Sequence, residues 1–250
     1  RPQRGPHHSH LRRAIRGIVA VLLLGAADAQ AVECRSESPG GLALTVCRVD
    51  LAQERLRIFH KDSKGQPFGD FASLRQALQA QHGELLFAMN AGMYEPDRSS
   101  VGLLVQDGRT RKALNLREGT GNFYQQPNGV LMWTRRRARV LSALEYAQQQ
   151  PKPAFATQSG PMLVHQGQIT GSAVMNPQSK SRKIRNGVCA PEPSKLVFAI
   201  SEQPVTFFEF AGVFKDAFQC SEALYLDGTP VTNGQVLTAA QLAGLQFDAP

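Results

Sequence analysis

The short motifs that mark the common enzyme classes are missing from this 250-residue sequence. It has no G-x-S-x-G nucleophile elbow, no glycine-rich phosphate loop, no H-E-x-x-H zinc motif and no G-x-G-x-x-G dinucleotide fingerprint. It also has no C-x-x-C pair, which argues against a structural zinc site. Any catalytic site must therefore be built from polar residues scattered along the chain.

Histidine and net charge give little information about function. Three of the six histidines lie within the first ten residues, and we predict that His60, His82 and His165 are surface or packing residues. The formal charge is +8, but residues 1–31 contain five arginines and one aspartate. The remainder has 23 basic and 19 acidic side chains, a charge of +4, which does not indicate a nucleic-acid partner.

The N-terminal residues have the pattern of an export signal. Five arginines precede the short apolar run 18–24, and Ala29 and Ala31 form an A-x-A site for signal peptidase. The run is too short for a membrane span of about 20 residues. We therefore expect a signal peptide over 1–31, a domain over 32–250, and a periplasmic or secreted protein without stable membrane insertion. Arg12-Arg13 leaves both the general secretory and the twin-arginine routes open.

All four cysteines follow this predicted signal peptide. An even number of cysteines in an oxidising compartment suggests disulfides, and three pairings are possible. We favour Cys34–Cys47 and Cys189–Cys220, because both bonds close short loops.

Apolar spacing predicts two principal helices among many short strands. Phe71, Leu74 and Leu78 lie three and four residues apart and indicate a helix over 70–81. Thr206 and Glu209 form a capping-box pattern before an aromatic helix that extends to Cys220. We predict strands, largely in hairpins, at 42–50 with 55–60, 85–89, 101–105 with 110–114, 129–133 with 139–141, 162–165 with 168–170, 183–189, 196–200 and 224–226. The expected fold is a single α+β domain of mixed or antiparallel sheet with its core at about 42–232.

Polar residues follow or precede several of these apolar strands, where a scaffold presents reactive side chains. A glycine accompanies each of them and allows close backbone approach. The polar residues are Asn90, Asn128, Ser159, Arg185 with Asn186, and Asp227.

The order of these junctions resembles the phosphodiester glycosidase (uncovering-enzyme-like) family, and most of all its bacterial exported branch. The similarity rests on the segments NAGMY, SVGLLVQDG, PNGVL, QSGPMLV, IRNGV and LYLDG, and covers roughly residues 42–232. The chain departs from the family pattern in two places. It has Asn90-Ala91-Gly92 in place of Asn-Gly-Gly, and Thr229 follows Asp227-Gly228 where a glycine is typical.

The resemblance implies hydrolysis of the bond between a sugar's anomeric carbon and a phosphodiester. Such a reaction needs a carboxylate near the anomeric carbon, and Asp227 is our first choice. Arg185 would bind the phosphate, and Glu95 or Asp97 would supply a second carboxylate. The expected substrate-binding residues are Asn90, Gly92, Tyr94, Asn128, Ser159, Gly160, Asn186, Gly228 and Thr229.

We expect no cofactor and no metal. The expected partner is a glycan or glycolipid that contains sugar phosphate, and no nucleic acid. Two alternatives stay open: a non-catalytic carbohydrate- or envelope-binding protein on the same fold, and a phosphodiesterase of different bond specificity.

Overall fold

The computed structural model describes residues 32–81, 85 and 87–227. The predicted signal peptide over 1–31 lies outside these residues, as do Gly228 and Thr229. Within the described residues the chain forms two antiparallel sheets and three α-helices. The predicted α+β class is confirmed.

Seven strands of the described chain form the larger sheet. They are β1 (Glu33–Glu37), β2 (Leu44–Asp50), β8 (Met162–His165), β9 (Gln168–Ile169), β10 (Asn186–Glu192), β11 (Lys195–Ser201) and β12 (Ala223–Tyr225). Their spatial order is β1-β2-β11-β10-β12-β8-β9, and every neighbouring pair is antiparallel.

The smaller sheet has five strands in the same part of the chain. They are β3 (Leu104–Gln106), β4 (Arg109–Lys112), β5 (Gly129–Trp133), β6 (Ala138–Ser142) and β7 (Phe155–Ser159), in the order β4-β3-β7-β5-β6. The β3–β4 hairpin turns at Asp107-Gly108, where both residues have positive φ of 48° and 73°. This is the mirror-image turn that suits the twist of hairpin strands.

The two sheets stack face to face because side chains alternate along each strand. Leu131 and Trp133 of β5 share one core with Phe198 and Ile200 of β11. The alternate residues of the same strands face outward. Those of β5 pack with Tyr146 of α2 (Ala143–Gln149), and those of β11 pack with the aromatic residues of α3 (Phe207–Gly212). The result is four layers: helix, sheet, sheet, helix.

Two of the three helices were predicted and one was not, although α3 ends at Gly212 and a π-helical turn, Val213–Ala217, replaces the α-helix expected up to Cys220. Helix α1 (Phe71–Gln79) begins after Asp70, whose side chain accepts a hydrogen bond from the Ser73 amide, and α3 has the expected capping box at Thr206. Helix α2 corrects our prediction of two principal helices. Ser142 and Glu145 form its capping box, but this signal follows a strand directly and precedes a polar stretch that resembles a loop.

The predicted pairing of 42–50 with 55–60 is wrong. Strand β2 pairs instead with β1 on one side and β11 on the other, so both of its edges are occupied. The 55–60 segment belongs to no strand. Two side chains of the smaller sheet hold it in place through hydrogen bonds to its backbone carbonyls. Trp133 Nε1 donates to the Leu56 carbonyl at 2.9 Å, and Gln106 Nε2 donates to that of Ile58 at 3.0 Å. The described residues of 85–89 also lie outside any strand.

Both predicted disulfides are present. Cys34 and Cys47 face each other across β1 and β2, at the edge of the larger sheet. Cys189 of β10 bonds to Cys220, which lies three residues before β12. Since β10 and β12 are hydrogen-bonded neighbours, the second bond fixes the two central strands that lead to Arg185 and Asp227.

Replacing Cys189 and Cys220 together by serine should lower the free energy of unfolding by roughly 3–4 kcal/mol, because the bond closes a loop with a sequence separation of 31. Urea denaturation measures this loss. The same double replacement at Cys34 and Cys47, with a separation of 13, serves as the control. Activity measured well below the melting temperature should fall only in the Cys189/Cys220 variant. Equal activities in the two variants would contradict a role for this bond in the geometry of the strand ends.

Candidate functional site

Antiparallel pairing brings the polar strand ends together at one end of the two-sheet stack. The start of β10 lies opposite the end of β12, since Gly187 pairs with Tyr225. The end of β12 lies opposite the start of β8, and β8 follows β7 directly through Gly160-Pro161. The end of β7 faces the start of β5, where Ser159 pairs with Gly129. The junctions at Asn128, Ser159, Asn186 and Asp227 therefore share one end.

The segment Asn90-Ala91-Gly92 joins the two sheets at this end. The Asn186 side chain donates to the Asn90 carbonyl at 3.2 Å, and the Asp227 amide donates to the Ala91 carbonyl at 3.2 Å. On the other side, the Gly92 amide donates to Thr157 Oγ1 of β7 at 3.0 Å. A Cβ at Gly92 would lie 2.2 Å from the Gln158 carbonyl oxygen, so this contact requires glycine.

Among the titratable groups at this end of the stack, Asp227 has the most clearly shifted pKa. Its carboxyl is largely buried two residues beyond β12, and desolvation raises the pKa of Asp227 from 3.8 to about 7. Among the described residues, no cation lowers that pKa. The phenols of Tyr94 and Tyr225 lie within electrostatic range of the carboxyl, because its charge raises the pKa of both. A carboxyl with this pKa exchanges protons near neutral pH, which suits general-base or nucleophilic chemistry.

Arg185 lies almost fully buried, with 2% exposure, beneath α3. Its guanidinium stands 3.5 Å above the ring centre of Phe207, and its Nε and Nη2 donate to the carbonyls of Val205 and Ser181. It also donates to the Tyr225 phenol, and burial lowers the pKa of Arg185. In the described part of the chain no carboxylate forms an ion pair with it. The side chain is thus a buried cation whose partners are all neutral.

Asn128 and Ser159 contribute two buried atoms without hydrogen-bond partners. Asn128 donates through Nδ2 to the Phe123 carbonyl at 3.1 Å, but its Oδ1 and the Ser159 Oγ have no partner. Gly160 packs closely against Asn128, since a Cβ there would lie 2.8 Å from the Asn128 Cβ. Buried polar atoms are normally satisfied. These two therefore offer hydrogen-bonding capacity just below the surface of the shared end.

Tyr94 and the two acidic residues after it lie on an exposed turn. Tyr94 is 45% exposed, and its phenol lies within electrostatic range of Arg98 as well as Asp227. The Asp97 carboxyl accepts hydrogen bonds from Ser99, which shapes the turn and lowers the pKa of Asp97. Glu95 is exposed at the start of the same turn. Neither carboxylate affects the pKa of Asp227.

An apolar cavity of about 260 Å³ opens next to this end of the stack. It is lined by Asn90, Gly92 and Tyr94 on one side and by the inter-sheet core on the other. Among the residues that the structure describes, no cluster of three or more His, Cys, Asp or Glu side chains is placed to bind a metal ion. The same residues include no helix with the length and apolar character needed to cross a membrane.

Comparison with known proteins agrees with this geometry. A model of the phosphodiester glycosidase family matches residues 83–236, more than half of the chain. A relative from Escherichia coli strain K12, "Uncharacterized protein YigE", is 32% identical over 211 residues, which cover 84% of this chain and 81% of that protein. The chain belongs to the phosphodiester glycosidase family.

A solved structure supports the shared fold of this phosphodiester glycosidase domain. The catalytic domain of zebrafish N-acetylglucosamine-1-phosphodiester α-N-acetylglucosaminidase, auto-inhibited by its pro-peptide, is similar with a TM-score of 0.51. The match has 18% identity and covers 83% of this chain and 73% of that chain. Family membership supports a glycosidase-type activity on sugar phosphodiesters.

The structure brings together most of the site residues that the sequence indicated. Asp227, Asn90, Gly92, Asn186 and Tyr94 are linked by direct contacts or by electrostatic interaction. The other described candidates, Asn128, Ser159 and Gly160, meet at the neighbouring β5 and β7 ends, and Arg185 connects to Asp227 through Tyr225. Of the candidates that the structure describes, only Glu95 and its alternative Asp97 remain outside this network.

Two residues of the network, Tyr225 and Thr157, were not anticipated. Tyr225 lies two residues before Asp227, so strand alternation alone places both side chains on one face. Thr157 lies two residues before Ser159 and is related to it in the same way. The sequence shows both spacings. Tyr225 and Asp227 lie within LYLDG, and Thr157 directly precedes QSG.

Replacing Ser159 by alanine should stabilise the protein by about 1 kcal/mol, because it removes a buried hydroxyl without a partner. If that hydroxyl binds substrate, the same variant should lose activity. Ser201→Ala is the matched control, since Ser201 Oγ accepts from the Arg185 amide at 2.9 Å and its loss should destabilise. Thermal melting and activity assays measure the two effects. A destabilised Ser159→Ala variant would show that Ser159 has a structural partner.

Replacing Asp227 by asparagine should stabilise the protein increasingly as the pH rises from about 4 to 7. In this range the unfolded chain has lost the proton that the folded protein still holds, so wild-type stability falls with rising pH. Each unit of pKa shift corresponds to about 1.4 kcal/mol, so the difference should reach a few kcal/mol at pH 8. Urea denaturation across this pH range measures it. Asp107→Asn, in an exposed turn, should show no such trend, and parallel curves for Asp227→Asn and the wild type would contradict the burial of Asp227.

Proposed function

We propose that this protein is an exported glycosidase that hydrolyses the sugar–phosphate bond of a sugar-1-phosphodiester. The observation that supports the reaction best is the carboxyl of Asp227, buried without a cationic partner at the converging strand ends. Its raised pKa places the change from acid to carboxylate near neutral pH. The family match indicates that the cleaved bond is a sugar–phosphate bond. The Asp227 carboxyl is the group in the site that could act on it.

In the proposed reaction, water replaces the phosphate at the anomeric carbon. The carbon–oxygen bond to phosphate breaks, and the sugar passes through a state with oxocarbenium character. Ionised Asp227 either removes a proton from the attacking water or attacks the anomeric carbon itself before water releases the sugar. The products are the free sugar and a phosphate monoester of the alcohol. Because that leaving group is already acidic, it needs little protonation from the protein.

Arg185 is the proposed source of positive charge for the leaving phosphate. A buried guanidinium with only neutral partners is costly for the folded protein, and an anionic ligand would relieve that cost. The Tyr225 phenol interacts with both Arg185 and Asp227, and these two residues form no ion pair with each other. Glu95, beside Tyr94, is the proposed second carboxylate, with Asp97 as the alternative. Asn90, Asn128, Ser159 and Asn186, the backbone at Gly92 and Gly160, and Gly228 with Thr229, would contact the sugar or the phosphate.

Export is the second part of the proposal. The N-terminal pattern predicts removal of residues 1–31, and both disulfides need an oxidising compartment to form. A periplasmic or secreted enzyme of this class would act on a sugar phosphate within an envelope glycan or glycolipid. Its domain would span residues 32–250.

The decisive experiment incubates purified protein lacking residues 1–31 with α-linked sugar-1-phosphodiesters that carry different sugars. We expect free sugar from the wild type and a loss of at least 100-fold in kcat/KM in Asp227→Asn and Arg185→Ala. The matched controls are Asp107→Asn, in a hairpin turn, and Arg182→Ala, a neighbouring arginine paired with Glu209 on the surface. Wild-type activity in Asp227→Asn would refute the assignment of the carboxylate. Glu95→Gln and Asp97→Asn test the second carboxylate in the same assay.

The pH profile of the same reaction tests the protonation state of Asp227. If the ionised form is active, kcat/KM should rise nearly tenfold per pH unit below about 7 and level off above it. A decline of kcat/KM above that pH would instead make Asp227 a proton donor. Sugar binding without release from any substrate would favour a non-catalytic carbohydrate-binding protein. Release of a sugar phosphate instead of free sugar would indicate a phosphodiesterase.

A further inference from the structure

The apolar cavity of about 260 Å³ has no role in the reaction described above. Its floor is part of the buried inter-sheet core, at Leu131, Trp133 and Phe198. Phe71 and Leu74 of α1 form one wall. Such a cavity exposes apolar surface next to a polar site, which soluble proteins rarely do without a ligand.

The cavity is continuous with the proposed catalytic site. Ala91 and Gly92 line it, and the Ala91 carbonyl accepts the amide hydrogen of Asp227. Leu226, the residue directly before Asp227, also lines it. A ligand group in the cavity would therefore lie directly beside the residue that carries the reactive carboxyl.

The size and chemistry of the cavity favour an apolar group over a second sugar. A cavity of about 150 Å³ holds benzene, so 260 Å³ accommodates on the order of ten carbon atoms. Sugar hydroxyls need hydrogen-bond partners, and the aromatic and aliphatic floor provides none. An aliphatic or isoprenoid chain would meet no such penalty.

Charged residues line the outer part of the cavity. Arg57 and Arg98 are exposed cations there, with the carboxylate of Asp70 and the imidazole of His60 nearby. Tyr94, at the same place, lies within electrostatic range of both Arg98 and Asp227. The cavity lining therefore includes Tyr94, a residue within electrostatic range of Asp227.

We infer that the cavity binds the apolar alcohol of the substrate, so that the protein prefers sugar-1-phosphodiesters of aliphatic or isoprenoid alcohols over those of polar alcohols. The inference rests on the proposed function and selects the glycolipid class among its possible substrates. The alcohol lies against Trp133 and α1, and its phosphate lies toward Asp227.

Trp133 allows direct measurement of binding without any reaction, because it is the single tryptophan of the chain and lines the cavity. The probe is 8-bromooctyl phosphate, whose bromine quenches nearby tryptophan emission, and octyl phosphate is the unbrominated control. We expect saturable quenching by the brominated probe below its aggregation concentration, and competition by octyl phosphate. Absence of saturable quenching would overturn the inference.

A chain-length series on the wild-type protein provides a second measurement. In competition with the probe, affinity should rise about fourfold per methylene from methyl to octyl phosphate, as expected for about 0.8 kcal/mol per buried methylene. It should level off once the cavity is full. An affinity independent of chain length would show that the phosphate alone is bound.

A cavity-filling variant locates the bound chain. Ala88→Phe places a ring in the cavity, which Ala88 lines at 5% exposure, and should weaken binding of the probe at least tenfold. Ala72→Phe, on the exposed side of α1, is the matched control and should bind as the wild type does. Unchanged binding in a folded Ala88→Phe variant would overturn the inference.

The binding and hydrolysis assays separate this inference from the proposed function. Binding of the alkyl phosphate without hydrolysis of any diester would refute the proposed function and leave the cavity assignment standing. Hydrolysis with equal kcat/KM for methyl and octyl diesters would refute the cavity assignment alone. A kcat/KM at least 100-fold higher for the octyl diester would support both.

Discussion

The arrangement of the candidate site depends on one close backbone contact, where Gly92 passes over β7. A side chain at this position would overlap the Gln158 carbonyl oxygen, so the segment can lie here only because residue 92 has no Cβ. The contact places the Asn90 and Ala91 carbonyls against Asn186 and Asp227 of the larger sheet. One segment of three residues thereby fixes the ends of both sheets relative to each other.

This arrangement leaves two largely buried ionisable groups, Asp227 and Arg185. Neither forms an ion pair with another described residue. Asp227 has a pKa raised by desolvation and lies within electrostatic range of the phenols of Tyr94 and Tyr225, and Arg185 lies against Phe207 with neutral partners. Each is unfavourable for stability when considered alone. In the proposed reaction, the anionic phosphate and the developing positive charge on the sugar would offset these two costs. The rigid surroundings, including the Cys189–Cys220 bond on the flanking strands, keep the groups from relaxing toward other partners.

The same stacking of sheets accounts for the cavity. The inter-sheet core extends to a cavity bounded by α1 and the 55–60 segment, so aromatic core residues also line a space beside the site. Polar strand ends and apolar core thus meet at one opening. An amphipathic substrate fits such a junction better than a wholly polar one, because each of its parts finds surroundings of matching polarity.

The sequence by itself indicated the local features: the hairpin around Asp107-Gly108, helix α1, the capping box of α3, the alternating core strands, the favoured disulfide pairings and the polar residues at the strand ends. Each depends on residues close together in the chain or on a simple periodicity. Tertiary structure decided the rest. The partners of β2 are distant in sequence, so the predicted pairing with 55–60 failed, and the capping box of α2 was hidden between a strand and a polar stretch. Above all, burial of Asp227 and Arg185 arises from contacts among residues up to about 140 positions apart, which no local pattern encodes.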